Sequence, residues 1–314
     1  MRNTPDAQPA TQTAYLDRVN RAIDLIVADL TRPLKLDDIA RAAKLSPFHF
    51  HRVFAGVVGE TPAAFVKRLR LEKAITIMVH NPGRALTHVA LDAGFNSQTD
   101  FSRCFKQRFG MPPSVFDAVT WRSERRGELD FMLEEHDVHI TRPEPGANSD
   151  NFAVTIRDLP PRSMAYLRVL APYREGMVER AAERLVGWAR GRGIESNPWY
   201  GYMWDDPEVT ALDDCRYDVA VEIDPGTGFD PDPGAVSDVG RSDFPAMRIA
   251  CLTIRGDIRL EIRALDWLYR TWLPASGCVP DDLPCFEAWH GLPFQHGNQH
   301  FELDLHLPIT TLRP

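Results

Sequence analysis

The chain has 314 residues, of which 44% are hydrophobic and 25% charged, and its formal net charge is −8. This length is about twice that of a typical domain, and the ordinary hydrophobic share argues against a long disordered chain. No apolar run is long enough to cross a membrane and no signal peptide is indicated, so we expect a two-domain cytoplasmic protein without a membrane partner.

Two segments near the N-terminus match each other at an offset of 51 residues, with seven of twenty positions identical. The first is residues 46–65 and the second is residues 97–116. The identical pairs are Ser46/Ser97, Phe50/Phe101, Arg52/Arg103, Phe54/Phe105, Gly59/Gly110, Pro62/Pro113 and Phe65/Phe116. A spaced match that includes serine, glycine and proline predicts two copies of one supersecondary unit.

Each copy is preceded by a short segment with helical apolar spacing, at residues 36–43 and 86–93. A turn of two or three residues follows, and Ser46 or Ser97 can then cap a second helix. Each copy is therefore predicted to be a helix-turn-helix. Between them, residues 62–80 predict one helix of about 28 Å, close to the roughly 34 Å between successive major grooves on one side of DNA.

The second helix of each unit has an apolar stripe and a polar stripe. Arginine and glutamine on the polar stripes are side chains that can read base edges. The candidate DNA-binding residues are Phe48, His51 and Arg52 in the first unit, and Gln98, Thr99, Ser102 and Arg103 in the second. The alternative is that these residues are the solvated surface of two ordinary helical hairpins, which the duplication argues against.

Residues 15–120 resemble the DNA-binding domain of the AraC/XylS transcriptional regulators. The resemblance rests on Arg-Leu-x-x-Ala at residues 70–74, Ala-Gly-Phe at 93–95 and the run Phe-Ser-Arg-Cys-Phe-Lys at 101–106. It implies that the seven candidate residues contact bases and backbone, and that promoter DNA and RNA polymerase are partners. One departure is Asp117, which stands after Phe116 where the family usually has arginine, so a terminal phosphate contact expected of the family is in doubt.

The charge is distributed unevenly along the chain. Residues 15–121 hold 15 Lys and Arg against 10 Asp and Glu, a balance of +5, whereas residues 152–314 hold 16 Arg against 25 acids, a balance of −9. We therefore assign DNA binding to residues 13–121 alone. Residues 142–150 are rich in turn formers, which makes 122–151 a predicted linker, although helix and strand patterns compete over residues 128–141.

The remaining part, residues 152–314, is predicted to contain a strand-helix-strand-strand unit twice. The first has strands at 165–170, 200–204 and 217–223 and a helix at 175–192; the second, 84 or 85 residues later, has strands at 250–255, 286–289 and 301–309 and a helix at 257–272. Two such units would form an antiparallel sheet with both helices on one face and a cleft between the halves. The predicted fold is thus multidomain, an all-α tandem helix-turn-helix domain followed by an α+β domain.

Aromatic residues and one carboxylate lie on or beside these strands. The candidate ligand-binding residues are Tyr166, Trp204, Tyr217, Trp272, Glu287 and Trp289. A carboxylate among indole and phenol rings can hold a lipophilic cation by charge and by cation-π attraction. The alternative is that the aromatics form a core and Glu287 faces solvent.

Residues 152–310 resemble a GyrI-like effector domain. The resemblance rests on Ala-Tyr-Leu-Arg at residues 165–168, Asp-Asp-Pro at 205–207, Phe-Glu at 286–287 and Leu-Pro-Ile at 307–309. It implies a domain that binds lipophilic, often cationic, small molecules, with Glu287 as the central acid, in a Rob-type arrangement within the AraC family. We therefore expect a one-component regulator and no enzyme. The alternatives are a hydrolase of cytotoxic compounds that uses Glu287 with Tyr166 or Trp204, and a protein that sequesters such compounds.

Cysteine and histidine residues provide a weaker signal. The five cysteines are scattered and have no CxxC pair, which predicts reduced and mostly buried thiols. Cys285, His290, His296 and His300 are close along the chain, but their spacing fits no zinc template, and His300 and His306 are predicted on the outward side of an alternating strand. No metal, cofactor or catalytic residue is therefore predicted.

Overall fold

The structure, a computed structural model, describes residues 10–135, 138–142, 144, 146–225 and 238–311. Its contacts divide the chain into two compact units. The first comprises Met1–Arg125 and the segment Asp230–Gly240, and the second is formed by Arg126–Phe229 and Arg241–Pro314. The predicted fold class is confirmed, because helices form the first unit and one antiparallel sheet with its helices forms the second.

The elements of the first unit are helices. They are α1 (Ala10–Ala28), α2 (Leu36–Ala42), α3 (Pro47–Val58), α4 (Pro62–His80), α5 (Leu86–Asp92), α6 (Gln98–Phe109) and the start of α7 (Ala118–Glu135). The pairs α2/α3 and α5/α6 are the two predicted helix-turn-helix units, and α4 has the predicted bounds. The tandem prediction is therefore confirmed.

The repeated residues make the same contacts in both copies. The ring centroids of Phe54 and Phe65 lie 5.4 Å apart, and those of the equivalent Phe105 and Phe116 lie 4.9 Å apart. The hydroxyl oxygens of Ser46 and Ser97 accept hydrogen bonds from the amides of the third residue after them, at 3.4 and 3.1 Å. These contacts explain why the match includes both core and cap residues.

The segment after Arg125 is joined to the second unit by ion pairs. Arg126, in the middle of α7, donates two hydrogen bonds to the carboxylate of Glu208, at 2.6 and 2.8 Å. Arg142 is paired in the same bidentate way with Asp130. Residues 126–135, placed in the predicted linker, are helical. Leu129 is buried there, and charge-assisted hydrogen bonds add to its apolar contacts.

The second unit contains nine strands and three helices within the described ranges. The strands are β1 (Val154–Leu159), β2 (Arg162–Leu170), β3 (Trp199–Met203), β4 (Arg216–Ile223), β5 (Gly240–Phe244), β6 (Met247–Gly256), β7 (Cys278–Pro280), β8 (Cys285–Trp289) and β9 (Phe301–Thr311), and the helices are α8 (Met177–Arg190), α9 (Ile258–Trp267) and α10 (Leu273–Ala275). The eight predicted elements are all present. Strands β1, β5 and β7 were not predicted.

The strand order is β1-β6-β9-β8-β3-β4-β2-β5, and β7 also pairs with β9. The two repeats, β2-α8-β3-β4 and β6-α9-β8-β9, meet at the central pair β3/β8, where Gly201 lies opposite Glu287. The strand that precedes each repeat pairs with the other repeat, because β1 pairs with β6 and β5 lies beside β2. Each repeat is thus completed by the strand that precedes the other repeat.

The sheet has two faces with different side chains. Helix α8 packs on β2 and β4, and helix α9 packs on β6. Because successive side chains of a strand point to opposite faces, the register places Gly201, Tyr217 and Glu287 on the face that carries the helices, here called the helix face. The other face, here called the aromatic face, carries Tyr202 and Phe286, whose ring centroids lie 5.1 Å apart.

Helix α9 does not continue as one α-helix to Trp272, as the sequence predicted. A π-turn at Leu268–Trp272 separates α9 from α10, and the amide of Leu273 donates to the carbonyl of Leu268, five residues earlier. Pro274 has no amide hydrogen and cannot bond the carbonyl four residues before it. The wider turn is consistent with this missing donor, and π-turns are frequent near functional sites.

Candidate functional site

Glu287 lies at the centre of β8 on the helix face, and only 6% of its surface is exposed. The hydroxyl of Tyr217, on β4, donates a hydrogen bond of 2.6 Å to its Oε2. Strand β3 runs between these two strands, so the two side chains must meet above its backbone. Their meeting point is fixed by the residue of β3 that lies between them.

That residue is Gly201. A Cβ atom at this position would lie 2.6 Å from the Glu287 Oε2 and 2.5 Å from the Tyr217 Cζ, and closer still to the Tyr217 hydroxyl oxygen. Contacts this short are sterically excluded in folded proteins. The space that any other residue would fill is thus occupied by the hydrogen bond between Tyr217 and Glu287.

A second carboxyl group, that of Glu261 on α9, is hydrogen-bonded to Glu287, and only 5% of Glu261 is exposed. Burial raises the pKa of Glu287 to about 7, although hydrogen bonds from Tyr217, Glu261 and Trp289 oppose this shift. The pKa of Glu261 is raised well above its ordinary value, mainly by burial and in addition by the adjacent charge of Glu287. The two carboxyl groups therefore titrate as a pair, and burial favours a state in which they share a proton.

The neighbouring thiol is not a nucleophile at neutral pH. Cys285, two residues before Glu287 on the same face, is buried, and burial raises its pKa to about 12. A thiol in this environment stays protonated, whereas the thiolate is the reactive form. The chemistry of the site is therefore that of an acid pair with hydrogen-bond donors.

Four of the six predicted ligand-binding residues lie on the helix side of the sheet, three of them on its strands and Trp272 at the end of the π-turn. Tyr217 and Glu287 are in contact, while Trp272 and Trp289 are partly buried in one cluster beside Met203 of β3. The side chain of Trp289 also hydrogen-bonds Glu287. Glu287 is thus bonded to one partly buried indole, and a second indole lies in the same cluster as the first.

Tyr166 and Trp204 are not part of this group. Both lie on the aromatic face, where the indole of Trp204 donates to Asp218 at 2.6 Å and the Arg168 guanidinium lies over both rings. The period-two alternation of side chains separates them from Glu287 by the thickness of the sheet. The suggested pairing of Glu287 with Tyr166 or Trp204 in hydrolysis has no geometric basis.

Sequence reasoning missed Gly201 and Glu261. Glu261 had a recognisable signal, because it takes the same helical phase as Ala264 and Leu268, which are both fully buried. An acid in the apolar phase of a helix points toward the core. Gly201 had a weaker signal, since glycine inside a strand indicates a close approach of other groups without naming them.

The seven predicted DNA-binding residues lie on α3 and α6. Six of them are exposed and Ser102 is half-buried; Phe48 is 68% exposed. The guanidinium of Arg52 lies 6.0 Å from the Phe48 ring centroid, and that of Arg103 forms an exposed ion pair of 2.7 Å with Asp100. An exposed pair of this kind costs little to open, so both arginines are available to a phosphate or a base.

Comparison with known proteins assigns a family to each unit. Residues 39–118 match the helix-turn-helix domain family, and residues 152–310 match the GyrI-like small molecule binding domain family. The chain is 30% identical over 118 residues to the uncharacterized HTH-type transcriptional regulator YbfP of Bacillus subtilis, covering 38% of this chain and 40% of that protein. It is 31% identical over 104 residues to the right origin-binding protein of Escherichia coli, covering 32% of this chain and 36% of that protein.

The chain thus covers less than half of the length of these two relatives. Among solved structures, an AraC-type transcriptional regulator from Chromobacterium violaceum is similar with 27% identity and a TM-score of 0.29, over 31% of this chain and 86% of that one. No helix in the described ranges is both long and apolar enough to cross a membrane.

Proposed function

The chain belongs to the AraC/XylS-type regulators that carry a GyrI-like small-molecule-binding domain, and on this basis we propose that it is a one-component regulator of transcription. The helix-turn-helix domain binds DNA and the GyrI-like domain binds small molecules. In the proposed function, a lipophilic cation held at Glu287 changes how α3 and α6 bind promoter DNA or how the bound protein engages RNA polymerase.

The observation that carries the proposal is the buried acid pair. A lone ionised carboxylate inside a protein is costly, and Glu287 avoids this cost by sharing a proton with Glu261. A bound cation would replace that proton as the compensating charge. The indoles of Trp272 and Trp289 would add ring faces to which a cation is attracted.

The proposal is tested by measuring DNA binding with and without a cation. A high-affinity site is first selected from a random-sequence DNA pool with the full-length protein. Titrations of this site, and transcription from it, are then compared with and without tetraphenylphosphonium, for the wild type and for Glu287→Gln. The expected result is a change of DNA affinity or transcript level in the wild type that the variant lacks. No change in either readout at saturating cation would contradict the proposal.

The hydrolase alternative is examined in the same samples. Mass spectrometry of the small molecules after incubation distinguishes a bound ligand from a consumed one. Several ester-bearing lipophilic cations would serve as candidate substrates. Recovery of the intact ligand supports sensing, whereas steady loss that depends on Glu287 would make the second unit an enzyme.

Loss of either recognition arginine should weaken specific DNA binding. We expect Arg52→Ala and Arg103→Ala each to cost about 1–3 kcal/mol, because each removes a side chain able to bond guanine or phosphate. The two losses should map to half-sites about one helical turn apart. Fluorescence anisotropy with the selected DNA site measures the affinity.

The matched control for these variants is Arg174→Ala. Arg174 forms an exposed ion pair of 2.9 Å with Asp213 in the second unit, so its removal changes the net charge equally. Its DNA affinity should equal that of the wild type. Equal affinities for all three variants would exclude α3 and α6 as the reading helices.

A further inference from the structure

A group of three metal-ligating side chains lies on the aromatic face, away from the acid pair. Cys251 is on β6, and Asp304 and His306 are on β9. One ligand atom of each lies within 4.8 Å of the others. The register explains the grouping, because Cys251 is directly opposite His306, and Asp304 is two residues away on the same face of β9.

The prediction that His306 faces outward is wrong. Only 6% of His306 is exposed, and its ring meets Phe286 edge to face at a centroid distance of 4.8 Å. The sequence analysis assigned one solvent-facing side to β9, but both faces of this strand are covered at residue 306. Among the described residues, no group hydrogen-bonds either ring nitrogen of His306.

An imidazole buried in this way needs an explanation. A buried polar atom without a partner destabilises the folded state, and native proteins usually satisfy it with water or an ion. A neutral imidazole with an available nitrogen is the form that binds metals.

We propose that Cys251, Asp304 and His306 bind one divalent transition-metal ion of the zinc type. The donor set is a thiolate, a carboxylate and an imidazole, a combination that suits zinc and is poor for magnesium or calcium. Zinc bond lengths require about 3.4–3.8 Å between ligand atoms, so these side chains need to approach each other by at most about 1.4 Å. Three protein ligands leave the fourth tetrahedral position open.

Two groups beside the proposed metal ligands contact the carboxylate of Asp304. The Nε2 of His290 lies 3.3 Å from the Asp304 Oδ1, and Thr253 donates to the same oxygen at 2.6 Å. Groups that orient a ligand in this way are typical of the outer shell of metal sites. The positive charges of Arg157 and Arg162 also act on His306, and the carboxylate of Asp304 offsets them.

The experiment is a titration of the full-length protein with Co²⁺, a spectroscopic substitute for zinc. We expect one equivalent to produce a thiolate-to-cobalt charge-transfer band in the near ultraviolet, and zinc to abolish it. Cys251→Ser should remove the band. Cys278→Ser is the matched control, because Cys278 is a half-buried free thiol outside the group, and it should retain the band.

Two further variants distinguish a specific metal site from loss of folding and from metal binding by exposed histidines. Asp304→Asn keeps the side-chain shape and should weaken zinc binding at least about tenfold in equilibrium dialysis. His300→Asn removes one of two exposed histidines whose ring centroids lie 5.8 Å apart, and should have no effect. Absence of the band in the wild type, or its persistence in Cys251→Ser, would overturn the proposal.

Discussion

Replacement of Gly201 by alanine is expected to destabilise the second unit and to abolish ligand binding there. The added methyl group would overlap the Tyr217 hydroxyl and would lie 2.6 Å from the Glu287 Oε2, and both side chains are buried. Overpacking costs about 1–3 kcal/mol, and separating the two groups leaves buried polar atoms unpaired at a similar cost. A loss of about 3 kcal/mol would lower Tm by roughly 6–12 °C for a unit of this size.

The control is Gly187→Ala on α8. Gly187 is exposed, and no atom lies within 4 Å of the position that its Cβ would take. Alanine in a helix should stabilise the protein by about 0.5–1 kcal/mol. Thermal unfolding followed by circular dichroism measures both variants, and equal Tm values for Gly201→Ala and the wild type would refute the steric argument.

A double variant tests the mechanism of the Gly201 effect. Tyr217→Phe removes the hydroxyl that the new methyl group would meet. If the clash with Tyr217 dominates, Gly201→Ala combined with Tyr217→Phe should be less destabilising than the sum of the two single variants. Additive losses would indicate that alanine disturbs β3 by another route.

Glu287→Gln is expected to change both stability and ligand binding in a pH-dependent way. Burial raises the pKa of Glu287 from its ordinary 4.5 to about 7 in the folded protein. Between these values the unfolded chain releases the proton while the folded protein keeps it, so the free energy of unfolding falls as the pH rises. At 1.36 kcal/mol for each pKa unit, the loss is on the order of 3 kcal/mol and is complete above about pH 7.

Glutamine keeps the shape and cannot ionise, so this variant should be more stable than the wild type at pH 8 and similar to it at pH 4. Chemical denaturation at several pH values measures the difference. Glu183→Gln, on the exposed side of α8, is the control and should follow the wild-type pH profile. A Glu287→Gln profile with the wild-type slope would mean that Glu287 is not the group that titrates.

Ligand affinity should show the complementary behaviour. Wild-type affinity for tetraphenylphosphonium should fall below about pH 7, since protonation of Glu287 removes the compensating charge. Glu287→Gln should bind this cation at least about tenfold more weakly at pH 8, because cation-π attraction alone is worth about 0.5–2 kcal/mol. Neutral triphenylphosphine oxide should bind both proteins alike in calorimetric titrations, and equal losses for both ligands would indicate damaged packing.

The sequence predicted a helix or strand correctly where the residues of that element alone show a hydrophobic period or a capping residue. The helices around Ser46 and Ser97 were predictable because apolar spacing and a capping serine mark each start locally. The eight elements of the two strand-helix-strand-strand repeats were found for the same reason. Duplication strengthened both predictions, since an independent second copy shows the same signals.

Which side chains meet at the site depends on the register between strands, and the sequence of one strand does not determine that register. Alternation within β8 shows that Phe286 and Glu287 face opposite ways, but only pairing with β3 and β4 shows which face Tyr217 or Trp204 shares. Grouping Tyr166 and Trp204 with Glu287 therefore required information from across the sheet. The same limit applies to His306, whose burial comes from its position beside Phe286.

The pairing of β1 and β5 with the repeat that each does not precede affects how the second unit folds. Because β1 completes the repeat that contains β6, and β5 lies beside β2, neither repeat can satisfy its backbone hydrogen bonds alone. The pairing of residues about 100 positions apart makes folding slow and cooperative, with no stable half. Separately produced fragments of residues 146–225 and 238–311 should each be unstructured and should assemble into one folded complex when mixed.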